Sequence, residues 1–156
     1  MPTDRGRLAA VGEPSSTARF TVRVDGKDIA VARVSAPSLA ADRGSVTARP
    51  LPREPDRVVW SGKPERGTVV LARAVDRDRT FYEWRRSALS DDQRVHLAAT
   101  RNVEVSVLDA AGREPVFTYR LVSAWPLRWS GPALDALLPS VAHEELELVY
   151  HDLQLV

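Results

Sequence analysis

The chain has 156 residues, 44% of them hydrophobic and only 6% aromatic, enough for one ordinary domain with a core of Val, Leu and Ala. Its 22 basic residues nearly match its 21 acidic ones, and the signs are finely mixed, which argues against a dominant nucleic-acid or membrane patch. Cysteine is absent, which excludes disulfides, thiol nucleophiles and Cys-ligated metals.

No hydrophobic run at the N-terminus reads as a signal peptide, and no apolar stretch is long enough to span a bilayer. Only Lys27 and Lys63 are lysines, and Asn102 is the single asparagine. This reads as coding bias rather than arginine-specific chemistry.

Residues 1–18 are polar and aperiodic and predict a flexible N-terminal arm. Phe20, Val22 and Val24 then alternate with Thr21 and Arg23, the pattern of a half-buried strand. Asp25-Gly26 is a favoured hairpin turn, and residues 29–34 are expected to form the partner strand. Residues 36–67 hold five of the 11 prolines (Pro37, Pro50, Pro52, Pro55 and Pro64). Proline removes a ladder donor, so a long loop is expected here, with Val58-Val59-Trp60 as an apolar island that pins it.

Residues 68–75 read as a strand. Phe81, Trp84, Ala88 and Leu89 then fall at helical spacing, which predicts one amphipathic helix capped by Asp78 or Thr80. Ser90-Asp91-Asp92-Gln93 resembles another cap, and residues 94–100 read as a connector. Residues 102–108 and 116–124 alternate well and predict a hairpin, with Val103, Val105, Val107, Phe117, Tyr119 and Leu121 inward. Pro126 and Gly131-Pro132 are expected to end that second strand, with Trp125 and Trp129 bracing the corner. Residues 134–138 fit one helical turn. The final strand, from about 140 to 151, points Leu146, Leu148 and Tyr150 one way and His143, Glu145 and Glu147 the other.

The fold class expected is therefore mainly β: a small antiparallel β-barrel or sandwich of six to seven strands with one flanking α-helix.

Catalytic equipment is sparse: no nucleophile elbow, phosphate-binding loop or zinc-protease motif occurs. His143, Glu145, Glu147 and His151 share a strand face with Val149, but same-face neighbours on a strand are roughly 7 Å apart. Such a row does not converge on one metal ion, so a solvated polar row is expected, with no metal and no cofactor. Asp76, Asp78, Asp91 and Asp92 read as surface-paired carboxylates among arginines. In the loop, Arg49, Arg53, Arg57 and Arg66 are balanced by Glu54, Asp56 and Glu65.

The ordered set of motifs nevertheless resembles one family. Ala124-Trp125-Pro126-Leu127-Arg128-Trp129-Ser130-Gly131-Pro132, followed by the strand from Val141 to His151, is similar to the C-terminal part of inner tube proteins of contractile phage tails and phage-derived contractile injection systems. Phe20 to Gly26, Lys63 with Gly67 to Arg73, and Phe81-Tyr82-Glu83-Trp84 fall in the family's order from about residue 19 to 151.

The resemblance implies a structural subunit and no enzyme: residues 19–156 as one tube-protein-like β-barrel, assembled as hexameric rings stacked into a conduit. Implied partners are further copies of the chain and other tube, baseplate and sheath proteins. Cargo or DNA would pass through the lumen without specific binding, and the chain would not insert into a membrane. Assembly would take place in the cytoplasm. A minor paralogue at the baseplate end of the tube fits the same motifs. Arg49, Arg53, Arg57, Trp60, Lys63 and Arg66 become candidates for a ring or stacking interface. Thr118, Arg120, Glu145 and Glu147 become candidates for the lumen wall. Trp125, Pro126, Trp129, Gly131 and Pro132 become the braced corner. The alternative from another class is a small-ligand-binding β-barrel, which needs an apolar interior cavity.

Overall fold

A computed structural model describes residues 19–41 and 63–156. The expected N-terminal arm, the Trp60 island and the loop residues Arg49, Arg53 and Arg57 lie outside them.

The described elements run in the order β1 (Phe20–Val24), β2 (Lys27–Ile29), β3 (Arg33–Val34), β4 (Gly67–Ala74), α1 (Thr80–Ser87), α2 (Gln93–Ala98), β5 (Arg101–Leu108), β6 (Pro115–Ser130), β7 (His143–Tyr150) and β8 (Asp152–Leu155). Strands are ordered β2-β1-β5-β6-β7-β4-β3, all pairs antiparallel, with β8 added against β6. The sheet doubles back at β6 and gives two layers, a sandwich rather than a closed barrel. The first layer holds β2, β1, β5, the N-terminal half of β6, and β8. The second holds the C-terminal half of β6, β7, β4 and β3.

The β1–β2 hairpin turns at Asp25 and Gly26, whose φ values of 48° and 80° are those a two-residue turn of the type I′ class requires. The run 29–34, expected as one strand, is two. β2 stays beside β1, the chain crosses between layers at residues 30–32, and β3 pairs with β4. Ala32 N–H donates to the Ala72 carbonyl at 2.8 Å as the chain arrives.

β6 is the hinge of the fold. It pairs with β5 and β8 over its first half and with β7 from Trp125 onward. Ser123, at φ 51°, makes the change: a left-handed residue inserts one extra position, and the register with β5 shifts between Arg101 and Val103, as in a β-bulge. The inward parity flips there. Tyr119 and Leu121 are buried before the bulge, Ala124 and Pro126 after it. The strand therefore does not end at Pro126, as expected; it runs to Ser130. Pro126 is tolerated because this half of β6 ladders with β7 alone, on one edge.

α1 forms where expected, with Phe81 and Trp84 fully buried, but neither Asp78 nor Thr80 caps it: Arg79 holds the N-cap position and makes no side-chain cap hydrogen bond. The connector over 94–100 is in fact a second helix, α2, capped by Asp92, whose carboxylate accepts from Arg94 N–H at 2.8 Å. No residue of α2 is buried, so it has no apolar stripe to reveal it. Phe117 shares the core-facing parity of Tyr119 and Leu121, as expected, but is half exposed rather than buried. Residues 134–138 hold a turn and no helix.

One core lies between the layers: Val22, Val24, Val103, Val105, Tyr119 and Leu121 from the first, Val69, Leu71, Leu146, Leu148 and Tyr150 from the second, with Phe81 and Trp84 from α1. Each fully buried leucine contributes ~1.5–3 kcal/mol. This packing fills the interior that a ligand-binding barrel would need open.

Candidate assembly surfaces

On the outer face of the first layer, register lines up Asp28, Arg23, Glu104, Arg120 and Gln154 across the strands. Arg23 pairs with Asp28 at 2.7 Å and Arg120 with Glu104 at 2.5 Å. The next row is Thr21, Ser106 and Thr118, with the last two hydroxyls 2.8 Å apart. This wall is polar, and its ion-paired side chains are balanced in charge.

The outer face of the second layer carries Glu145 and Glu147. Arg33 pairs with Glu145 at 2.5 Å and Arg128 with Glu147 at 2.9 Å. The fold therefore separates the four candidate wall residues. Thr118 and Arg120 lie on one layer, Glu145 and Glu147 on the other, with the core between them.

The edges differ as well. α1 and α2 pack along the C-terminal half of β6: Tyr82 meets Trp129 edge to face at 5.3 Å, Arg85 lies over Trp125 at 5.4 Å, and His96 sits 5.3 Å from the Trp125 ring. That edge of the second layer is occupied. At the two edges of the first layer stand β2 and β8, each paired on one side only among the described strands.

The corner is held by a buried charge cluster. Arg73 and Glu144 face each other across β4 and β7 and pair at 2.7 Å, both buried. Arg73 also donates to Asp78 at 2.9 Å, reaches Asp76 at 3.3 Å, and stacks over Phe81. The second Glu144 oxygen accepts from Trp129 Nε1 at 2.7 Å. Hydrogen bonds from Thr80 and then Arg73 hold the Asp78 carboxyl down to about 2. Burial works against the Arg73 charge, and the bonds to Asp78 and Glu144 outweigh it, so its pKa rises. Asp76 and Asp78 thus anchor a buried arginine rather than making surface pairs. The available signal was parity: Arg73 follows Val69 and Leu71, and Glu144 precedes Leu146, on core-facing positions.

Of the corner residues, Pro126 is in the core, Trp129 links Glu144 to Tyr82, and Trp125 rests on α1 and α2. A Cβ on Gly131 would approach Trp129 Cη2 to 3.2 Å, and Pro132 is half-buried. Among the described residues, Trp125 Nε1 and Arg85 Nη1 are buried with no acceptor. Lys63 and Arg66 sit at the described end of the long loop. Its stems run together through the Ala41–Pro64 bridge, and the Tyr150 hydroxyl donates to the Ser38 carbonyl at 2.6 Å.

This fold is that of a known structural class. The sequence model described as T4-like virus tail tube protein gp19 matches residues 16–154, and the chain belongs to that family. No curated protein sequence matches the chain significantly. Among solved structures, the chain is similar to one from the sheath–tube complex of an extracellular contractile injection system (TM-score 0.76, 20% identity, covering 94% of this chain and 93% of that one). It is also similar to one from the tube-terminating cap of the anti-feeding prophage (0.78, 20%, 100% and 99%) and one from that particle's baseplate (0.67, 25%, 92% and 96%). Among the described residues, no helix is long and apolar enough to cross a membrane.

Proposed function

We propose that the chain is a tube subunit of a contractile injection machine or phage tail, assembling as hexameric rings that stack into a conduit. The observation that carries this reading is the tail tube family match over residues 16–154. The first layer is the lumen wall, with Thr118 and Arg120 on it. Its outer face is polar and balanced, so cargo or DNA passes without adhering, and its β2 and β8 edges can continue the sheet into neighbouring copies. Glu145 and Glu147 then face away from the lumen. The residues of 36–67, with Lys63 and Arg66 at their end, supply contacts between copies. Sheath, baseplate and cap proteins are the further partners, assembly occurs in the cytoplasm, and the role is structural rather than catalytic.

Negative-stain microscopy of the concentrated protein tests this. Stacked rings are expected of a main tube subunit. Rings that remain single without a partner assign the chain to an end of the tube. Persistent monomers overturn the reading.

A further inference from the structure

Two surfaces at opposite ends of the β6–β7 ladder are complementary. Residues 131–142 join β6 to β7 just beyond the Ser130–Glu145 pair. They expose Leu134, Leu137, Leu138 and Val141 at 82%, 89%, 69% and 67%. Asp135, the only charged residue of this loop, accepts from Leu137 N–H at 2.9 Å and so shapes the turn. At the other end, by the Trp125–Val149 pair, an open groove of ≈ 640 Å³ runs between α2 and the sheet, lined by Leu97, Trp125, Leu127 and Val149 together with Arg66 and His96. Among the described residues, the groove lining contains no carboxylate. Glu145 and Val149 are four positions apart on β7, about 14 Å at the rise of a strand, so the loop and the groove of one copy stand at opposite ends of its ladder.

We propose that the apolar loop 131–142 of one copy seats in the α2–β7 groove of the next, a head-to-tail contact between copies of this chain; this rests on the tube reading above. The loop is convex, apolar and acidic at its one charge. The groove is concave, apolar and bordered by Arg66. A heterologous pairing of this kind closes into a ring or extends into a stack according to the rotation it imposes. It also accounts for four large aliphatic side chains left in water side by side.

The absence of cysteine makes the test clean. A chain carrying both Leu97→Cys and Leu137→Cys, assembled and treated with a short bis-maleimide, is expected to give a ladder of covalent multimers. Each single-cysteine chain stays monomeric on a denaturing gel. Leu134→Asp with Leu137→Asp, or Leu97→Asp alone, leaves the thermal midpoint unchanged, since these residues are exposed. Either change raises the concentration at which assemblies appear by roughly tenfold or more. Assemblies of the double-cysteine chain that give no ladder, with aspartate variants that assemble as well as the wild type, overturn the docking and leave the tube reading standing. Covalent dimers from one single-cysteine chain also overturn it, by showing a symmetric contact. A wild type that stays monomeric overturns both readings.

Discussion

Ser123 adopts a conformation that favours glycine, and it does so where the fold changes layer. Ser123→Gly removes the strain of a left-handed L-residue and is expected to raise stability by up to about 1 kcal/mol; Ser123→Val is expected to lower it by at least as much. Urea denaturation of the two variants measures both. Asp78 supplies a pH dependence at the same scale. Its carboxyl lies at about 2 in the folded chain, below the ordinary aspartate value of about 4. The ionised group therefore contributes stability that is fully present above pH about 4 and lost as the pH falls through about 2. The gap in thermal midpoint between wild type and Asp78→Asn is expected to shrink steadily across that window. A gap that stays constant down to pH 2 contradicts the role of Asp78 at Arg73.

At the level of elements, β4, β7 and α1 are joined by the Arg73–Glu144–Asp78 cluster and by Tyr150. Glu144→Ala leaves the buried Arg73 guanidinium short of its closest carboxylate and frees Trp129 Nε1. A loss of about 3–5 kcal/mol is expected in urea denaturation. Tyr150 lies across the backbone of Gly67, where a Cβ would come within 2.0 Å of its hydroxyl. Gly67→Ala is expected to eject the ring, break its bonds to Ser38 and release the loop stems. Limited proteolysis near residues 36–41 reads this directly, and unchanged cleavage contradicts it. Most strands were legible because each layer has one wet face, which writes a period of two into β1, β5 and β7. α2 was not, since it buries nothing. β8 was not, since its four residues gain their place only by pairing with β6.

Across the whole molecule, the charge balance read in the composition reappears as alternation across one sheet: Asp28, Arg23, Glu104 and Arg120 in register. In the proposed ring, every copy would repeat that row. Glu104→Lys would set three cations side by side in each subunit, and their repulsion is screened at high salt. Assemblies of this variant are expected to come apart in dilute buffer and re-form at about 1 M salt, where the screening length is about 3 Å, as read by sedimentation. Wild-type assemblies are expected to show little salt dependence.

Local pattern alone determined the strand periods, the Asp25-Gly26 turn, the first helix and the family's ordered motifs, because each is set by neighbours within a few residues. Only the tertiary structure decided that β6 passes through Pro126 and turns at Ser123 instead, since a bulge takes its meaning from the strands on either side. It also decided that Arg73 is buried, because its partner Glu144 lies 71 positions away. And it decided that Thr118 and Arg120 face away from Glu145 and Glu147. A strand's alternation says that a side chain points outward, but which outside it meets depends on how the sheet folds over the core.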